Sequence, residues 1–561
     1  MTVWCCRCSL ASHFRNYCNP ETEGQFLNSL VQYLGDNFGT NVKTMPLLEE
    51  TTLPVDVPLT LPMVVIGNGP SGICLSYMLS GYRPYLSPEA VHPNPILHSK
   101  LKEASHLSLV DQELEYLSEG LEGRSSNPVA VLFDTLLHPD ADFGFDYPSV
   151  LHWELEQQHY VPHMVLGKGP PGGAWHVRKT LSMEGSMLTI SFGDWMELPG
   201  YKFKDWASTK RRNIKCDRVL PEEIARYYKH YVKVMGLQKN FRDNIYITSV
   251  SRLYREQDHE NESQVKEHVS TQHFQTQEQD GQNPTIKRNW EIRGYQRAAD
   301  GSHVPFCLFA ENVALATGTF DAPGRLQVEG EDFPFVLHSM SDFGAAVGKG
   351  ILCGKTDPVL IIGGGLTAAD AVLCAYNNNI PIIHVFRRKV TDPNLIFKQL
   401  PKKLYPEYQK VYHMMCTQSV TNVDSTLHSS YISFPEHRVL SFQSDMKCVL
   451  QSAAGLKKIL KFSVALVLIG SHPNLCFLKD QGQGIGHNPN EPISCKGNPI
   501  EIDPYTYECT KEPNLFAIGP LVGDNFVRFL KGGALGIAQH LAKRQKQKHQ
   551  LIVERGGDGV P

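Results

Sequence analysis

The chain has 561 residues, with 54 Lys+Arg against 58 Asp+Glu and a formal charge of -4. At 41% hydrophobic and 20% charged residues it reads as globular, not as a disordered, collagenous or coiled-coil chain, and its length allows about three to four domain-sized units. The charge balance excludes a basic nucleic-acid coat, and apolar runs such as Val464 to Ile469 fall far short of the ~20 residues a membrane helix needs.

In chain order, residues 1–60 read as an appendage, expected to be disordered. Cys5, Cys6, Cys8 and Cys18 cluster there. A zinc site from Cys5, Cys8, His13 and Cys18 would lack the second CxxC pair that strong sites have; S-acylation at Cys5 or Cys6 is the other chemical reading. The 14 cysteines show no repeated spacing, which fits reduced thiols of an intracellular protein.

The first informative stretch runs from Pro62 to Leu75. The apolar run Met63–Ile66 predicts a buried parallel strand. It leads into G-x-G-x-x-G at Gly67, Gly69 and Gly72, with Pro70 and Ser71 between, and then into an apolar helix from about Ser71 to Leu79. Gly67 permits a tight turn, Gly69 lets a diphosphate approach the backbone, and Gly72 lets the helix pack on the strand. The helix start then presents free N–H groups and the positive end of its dipole. An acid that binds ribose is expected about twenty residues on, at the end of the next strand. With Tyr82–Leu86 taken as that strand, the acid nearby is Glu89, after Ser87-Pro88.

Residues 254–289 are rich in Gln, Glu, Asp, His and Ser and predict a flexible insertion. Asn312 to Gly318 reads as an apolar strand ending in Gly. The strand–turn–helix pattern then recurs from Pro358 to Ala371, with Gly363, Gly365 and Ala368 at the three fingerprint positions. The following strand, Ile380–Phe386, ends in Arg387-Arg388-Lys389, and a basic pair there suits the 2′-phosphate of NADP. Val464–Gly470 and Asn514–Gly519 are further strands ending in Gly. Gly532 lies in the Gly-rich start of a last helix that could offer N–H groups to a flavin ring. Lys543–His549 is a basic, solvated helix end.

These marks predict an α/β fold with two Rossmann-like dinucleotide-binding domains of the three-layer ββα type. The first domain takes 61–340 and returns at 476–545, the second is inserted at 341–475, and 546–561 is a tail.

The paired fingerprints, the Ala-Thr-Gly strand end and the C-terminal Gly-Asp region resemble flavoproteins with two dinucleotide domains. That resemblance implies FAD at the first fingerprint and NADPH at the second. Pro171-Gly172-Gly173-Ala174-Trp175 resembles the Gly-Gly-x-Trp segment of class B flavin monooxygenases, which implies Gly173 and Trp175 beside the flavin. Gly330 to His338 resembles that class's linker, with Val328 in place of its Phe and a longer spacing to His338. Ile66–Tyr77, Leu117–Arg124, Leu400–Tyr408 and Gly519–Phe529 resemble the oxidative stress-induced growth inhibitor family.

The family resemblance implies a monooxygenase in which hydride passes from NADPH to FAD and O2 is then activated as a peroxyflavin. It also implies roles in growth inhibition, cell death and cytokinesis, and in meiosis or germ-cell maturation. Protein partners in cell-division or growth control are expected, as is a mainly cytoplasmic location with midbody or mitochondrial association. Flavin reductases read Gly-Asp after their last strand. Here Gly519-Pro520 stands there, and either Asp524 serves instead or the ribityl contact is made by backbone alone. An NADPH oxidase that makes peroxide, and a non-catalytic FAD-binding growth regulator, are the alternatives. A disulfide reductase would have only the Cys5/Cys8 pair to work with.

Overall fold

A computed structural model describes residues 59–176, 188–208, 218–253, 288–417 and 430–557. The Cys-rich appendage, residues 254–287 of the expected insertion and the end of the tail lie outside them.

The first part of the chain runs β1 (Leu59–Ile66), α1 (Pro70–Leu79), β2 (Tyr82–Leu86), α2 (Pro128–Leu137), β3 (Leu151–Leu155), β4 (His163–Leu166), α3 (Pro221–Val234), β5 (Phe241–Arg242), β6 (Ile245–Arg252), β7 (Trp290–Arg297) and β8 (His303–Leu315). The middle runs β9 (Ala322–Pro323), β10 (Val336–Leu337), α4 (Met340–Gly348), β11 (Val359–Ile362), α5 (Leu366–Asn377), β12 (Ile382–Phe386), α6 (Pro406–Thr417), β13 (Tyr431–Pro435), β14 (His437–Gln443), β15 (Lys447–Ser452), β16 (Lys457–Lys461), β17 (Ala465–Val467) and β18 (Ser471–His472). The last part supplies β19 (Leu515–Ala517), α7 (Val527–Leu530) and α8 (Gly532–Gly557).

Seven strands form the first sheet in the order β5-β4-β1-β8-β7-β6, with β19 also on β8. The long β8 serves two sets of partners. Its first half pairs antiparallel with β7, and its second half runs parallel to β1, with Ile66 opposite Leu315. Beyond that, β19 pairs parallel to the end of β8, so the chain returns to this sheet after building another. Helix α8 packs on both α1 and α2 beside it.

The second sheet, β10-β17-β11-β12-β13, is parallel throughout. Its strands are apolar on both faces because both are covered. In β11, Val359 and Ile361 face a core shared with α4, α5 and α6, while Leu360 and Ile362 face the antiparallel β14-β15-β16 sheet through Phe442, Cys448 and Phe462. The result is three layers: antiparallel sheet, parallel sheet, helices. The two connections between the sheets pair as a short ribbon, β9 against β18, with Gly324 N–H donating to the Gly470 carbonyl at 2.8 Å.

One expectation is corrected here. Tyr82–Leu86 is not the strand beside β1. Among the described residues it pairs only with β3, in a separate two-stranded sheet, and β4 takes the place beside β1, with Met63 opposite His163 and Ile66 opposite Leu166. No helix among the described residues is long and apolar enough to cross a membrane.

Candidate functional site

The three glycines after β1 do three different things. Gly67 has φ +114°, and a Cβ on it would lie 2.5 Å from the Ala316 carbonyl carbon at the end of β8. A Cβ on Gly72 would overlap the Gly67 carbonyl oxygen, so the helix can approach the turn only without a side chain. At Gly69 a Cβ would meet nothing within 4 Å. Gly69 caps α1 with φ -71°, gives no side-chain cap, and Pro70 opens the helix with no acid in its first turn. The first N–H groups of α1 are thus left to a ligand in the space at Gly69.

The second loop repeats this. Gly363 has φ +141°, and its Cβ would lie 3.0 Å from the Leu468 carbonyl carbon. Gly365 caps α5 without a side chain, and a Cβ there would again meet nothing within 4 Å. Ala368, fully buried, fills the third position against Gly363.

Pro171–Trp175 docks on the first loop. Gly172 N–H donates to the Asn68 carbonyl at 2.8 Å, and a Cβ on Gly173 would sit 3.1 Å from the Gly69 Cα. Both glycines have positive φ, which other residues rarely adopt. Trp175 is half-buried and edge-on to Tyr228 of α3, with ring centres 6.4 Å apart. Thr317 follows β8 at the same sheet edge. Its hydroxyl is shielded from solvent and bonds to nothing among the described residues. The open space at Gly69, beside an uncapped helix start, is a place that a diphosphate fits.

Gly519 has φ +71° and packs on Ser71 in the first turn of α1, where a Cβ would lie 3.4 Å from the Ser71 Cβ. Asp524 N–H donates to the Gly519 carbonyl at 3.2 Å. The Asp524 carboxylate is spent inside the protein: it accepts from Ser125 at 2.6 Å, Asn127 at 3.1 Å and Tyr507 at 3.3 Å. Burial pushes its pKa up to about 6, against the pull of those donors. Gly532 is explained by packing, since a Cβ there would lie 2.7 Å from the Ala130 backbone nitrogen in α2.

The strand ends decide where the expected ribose contacts fall. β12 lies beside β11, so the exposed Arg387 and Arg388 stand where the sequence places them; Arg388 also bonds the Asn394 carbonyl at 3.1 Å. At the first loop the corresponding place falls after β4, at Gly167-Lys168-Gly169. Lys168 pairs with Asp321 at 2.9 Å, and Asn68 Nδ2 donates to the Gly169 carbonyl at 2.6 Å. Glu89 is exposed after β2, away from the strand that flanks β1. The expectation for Glu89 is therefore corrected: its parent strand is in another sheet.

His338 follows β10 and pairs with the buried Glu331 at 2.9 Å. Glu331 also accepts from the Leu326 and Gln327 backbone N–H groups, and its pKa is lowered as these donors outweigh burial. His338 thus braces the linker.

Sequence reading missed a buried charge cluster beneath α7. Arg528, 5% exposed, makes a bidentate pair with Asp134 (2.9 and 2.5 Å), reaches Asp142 at 2.9 Å and lies over the Trp195 ring. Lys531, 1% exposed, contacts His138 Nε2 at 3.2 Å and the Glu197 carbonyl at 3.3 Å. Burial lowers the Lys531 pKa and raises that of Glu197 to about 7. Charged residues so far apart in the chain carry no local signal.

No family model matches the chain. In fold it is similar to a bacillithiol disulfide reductase from Staphylococcus aureus, with TM-score 0.50 and 13% identity, covering 87% of this chain and 99% of that one. It is 48% identical over 488 residues to human oxidative stress-induced growth inhibitor 1, covering 87% of this chain and 96% of that protein. To human oxidative stress-induced growth inhibitor 2 it is 76% identical over 516 residues, 92% of this chain and all of that protein. Identity of that order along nearly the whole length makes this chain a member of the oxidative stress-induced growth inhibitor family.

Proposed function

We propose that this chain binds FAD at the first loop and NADPH at the second, and works as a flavin monooxygenase in growth control under oxidative stress. The observation that carries the reading is the pair of matching cradles, each with a middle glycine facing open space at an uncapped helix start. FAD held there would supply the redox chemistry between NADPH and O2. The chain's own residues bind and orient. Gly69 and the α1 N-terminus seat the first diphosphate. Gly365 and the α5 N-terminus seat the second, while Arg387 and Arg388 select the 2′-phosphate. Trp175 and Tyr228 wall the first site against water.

Thiol chemistry is disfavoured at this place. Cys74, on α1, is buried, and its pKa is pushed up to about 12, so it stays a neutral, unreactive thiol. The growth-regulatory role is carried over from the names of the relatives. A part in cell division or meiosis, protein partners there and a cytoplasmic location extend the same reading.

The test is anaerobic mixing of purified, flavin-loaded protein with NADPH, then with aerated buffer. Bleaching of the flavin by NADPH in preference to NADH supports the reading. No bleaching overturns it and leaves a non-catalytic regulator. Bleaching followed by one peroxide released per NADPH, whatever substrate is offered, identifies an oxidase.

A further inference from the structure

The two loops differ at their middle residue. In the first, Asn68 braces the turn by bonding the Gly169 carbonyl. In the second, Gly364 stands there, and the turn is three glycines in a row, the backbone with the most freedom to lose on ordering. The brace comes instead from the neighbouring strand. His384 of β12 is fully buried, with Nε2 2.7 Å from the Gly363 carbonyl and Nδ1 2.8 Å from the Tyr431 hydroxyl. A carbonyl only accepts, so Nε2 carries the hydrogen and Nδ1 accepts from Tyr431. Burial lowers the His384 pKa to about 4, so the ring is neutral and this tautomer fits both bonds.

We infer that His384, oriented by Tyr431, is a positioning residue that holds the Gly363–Gly364 peptide in the orientation the second dinucleotide needs. The peptide is planar and trans, so fixing its C=O fixes the opposed Gly364 N–H. The loop is then ordered before ligand arrives, and binding does not bear that cost. This rests on the proposal that NADPH occupies the second loop.

The test uses the full-length, flavin-loaded protein and the variants His384→Leu and His384→Gln; Gln keeps an N–H that can reach the carbonyl. Titration calorimetry with NADP+ reads affinity, and hydrogen exchange reads the amides of residues 363–365 without ligand. The inference predicts that His384→Leu weakens NADP+ about tenfold, speeds loop exchange, and raises the KM for NADPH with kcat nearly unchanged. His384→Gln should recover most of the affinity. Unchanged affinity and exchange in His384→Leu overturn the inference, as does equal weakening in both variants with equally lowered melting temperatures. If wild-type protein binds no NADP+ but exchange still quickens in His384→Leu, the brace stands and the dinucleotide reading of this loop fails.

Discussion

Replacing Gly69 by alanine separates ligand space from folding. In the ligand-free protein a Cβ at Gly69 meets nothing within 4 Å, and φ is -71°, which alanine adopts freely. The substitution should leave stability unchanged or raise it by about 0.4–1 kcal/mol through lower entropy of the unfolded chain. The same methyl group occupies the space where a diphosphate would meet the α1 N–H groups. Losing two hydrogen bonds to a charged group, at about 1.5–3 kcal/mol each, lowers affinity by roughly a hundredfold or more. Gly72→Ala is the contrast. Its Cβ overlaps backbone that cannot move without shifting the strand, so it should cost about 2–3 kcal/mol before any ligand is considered. The assay is urea unfolding of flavin-free protein beside flavin retained per chain after gel filtration. Gly69→Ala holding flavin at the wild-type level would refute the cradle. A urea midpoint as low as that of Gly72→Ala would refute the open space.

Arg387→Ala combined with Arg388→Ala should raise the KM for NADPH relative to NADH by about ten- to a hundredfold. Stability should hold within about 0.5 kcal/mol because both side chains are exposed. Asp134→Ala strands the buried Arg528 beside Asp142 alone and should cost about 3–5 kcal/mol in urea unfolding; a change under 1 kcal/mol would show that the pair is solvated. Asp524 has a folded-state pKa of about 6, above that of an unfolded carboxyl, so between about pH 4 and 6 the native state keeps a proton the unfolded chain has released. Its contribution to stability is full below that window and lost as pH rises through it, by roughly 2–3 kcal/mol. Asp524→Asn should flatten the fall in melting temperature over this range, while Glu197, shifted the same way, leaves part of the slope in place; an unaltered slope would contradict the burial of this carboxyl.

Both glycine-rich loops were legible in the sequence because their causes are local. A positive φ at Gly67 and Gly363, open space at Gly69 and Gly365, and close packing at Gly72 and Ala368 follow from a glycine or alanine at fixed spacing after an apolar run. The position of Arg387-Arg388 at the end of β12 is set locally too, since β12 directly follows the helix of its own loop. Even the error at Glu89 had a local warning. Pro84 lies inside β2, and a proline cannot donate within a central strand. The apolar His163–Leu166 run, ending in Gly167, was the better candidate.

Tertiary structure alone decided which strands are neighbours. Strand pairing joins backbone groups across long stretches of chain, and neither periodicity nor propensity names the partner. That is why β4, not β2, flanks β1, and why the strand end beside the first loop carries Lys168 in place of an acid. The same non-locality hid the Arg528–Asp134 pair, buried Lys531 and the His384 bond to Gly363. Each depends on low-dielectric surroundings assembled from distant segments, and burial is a property of the fold, not of the residue.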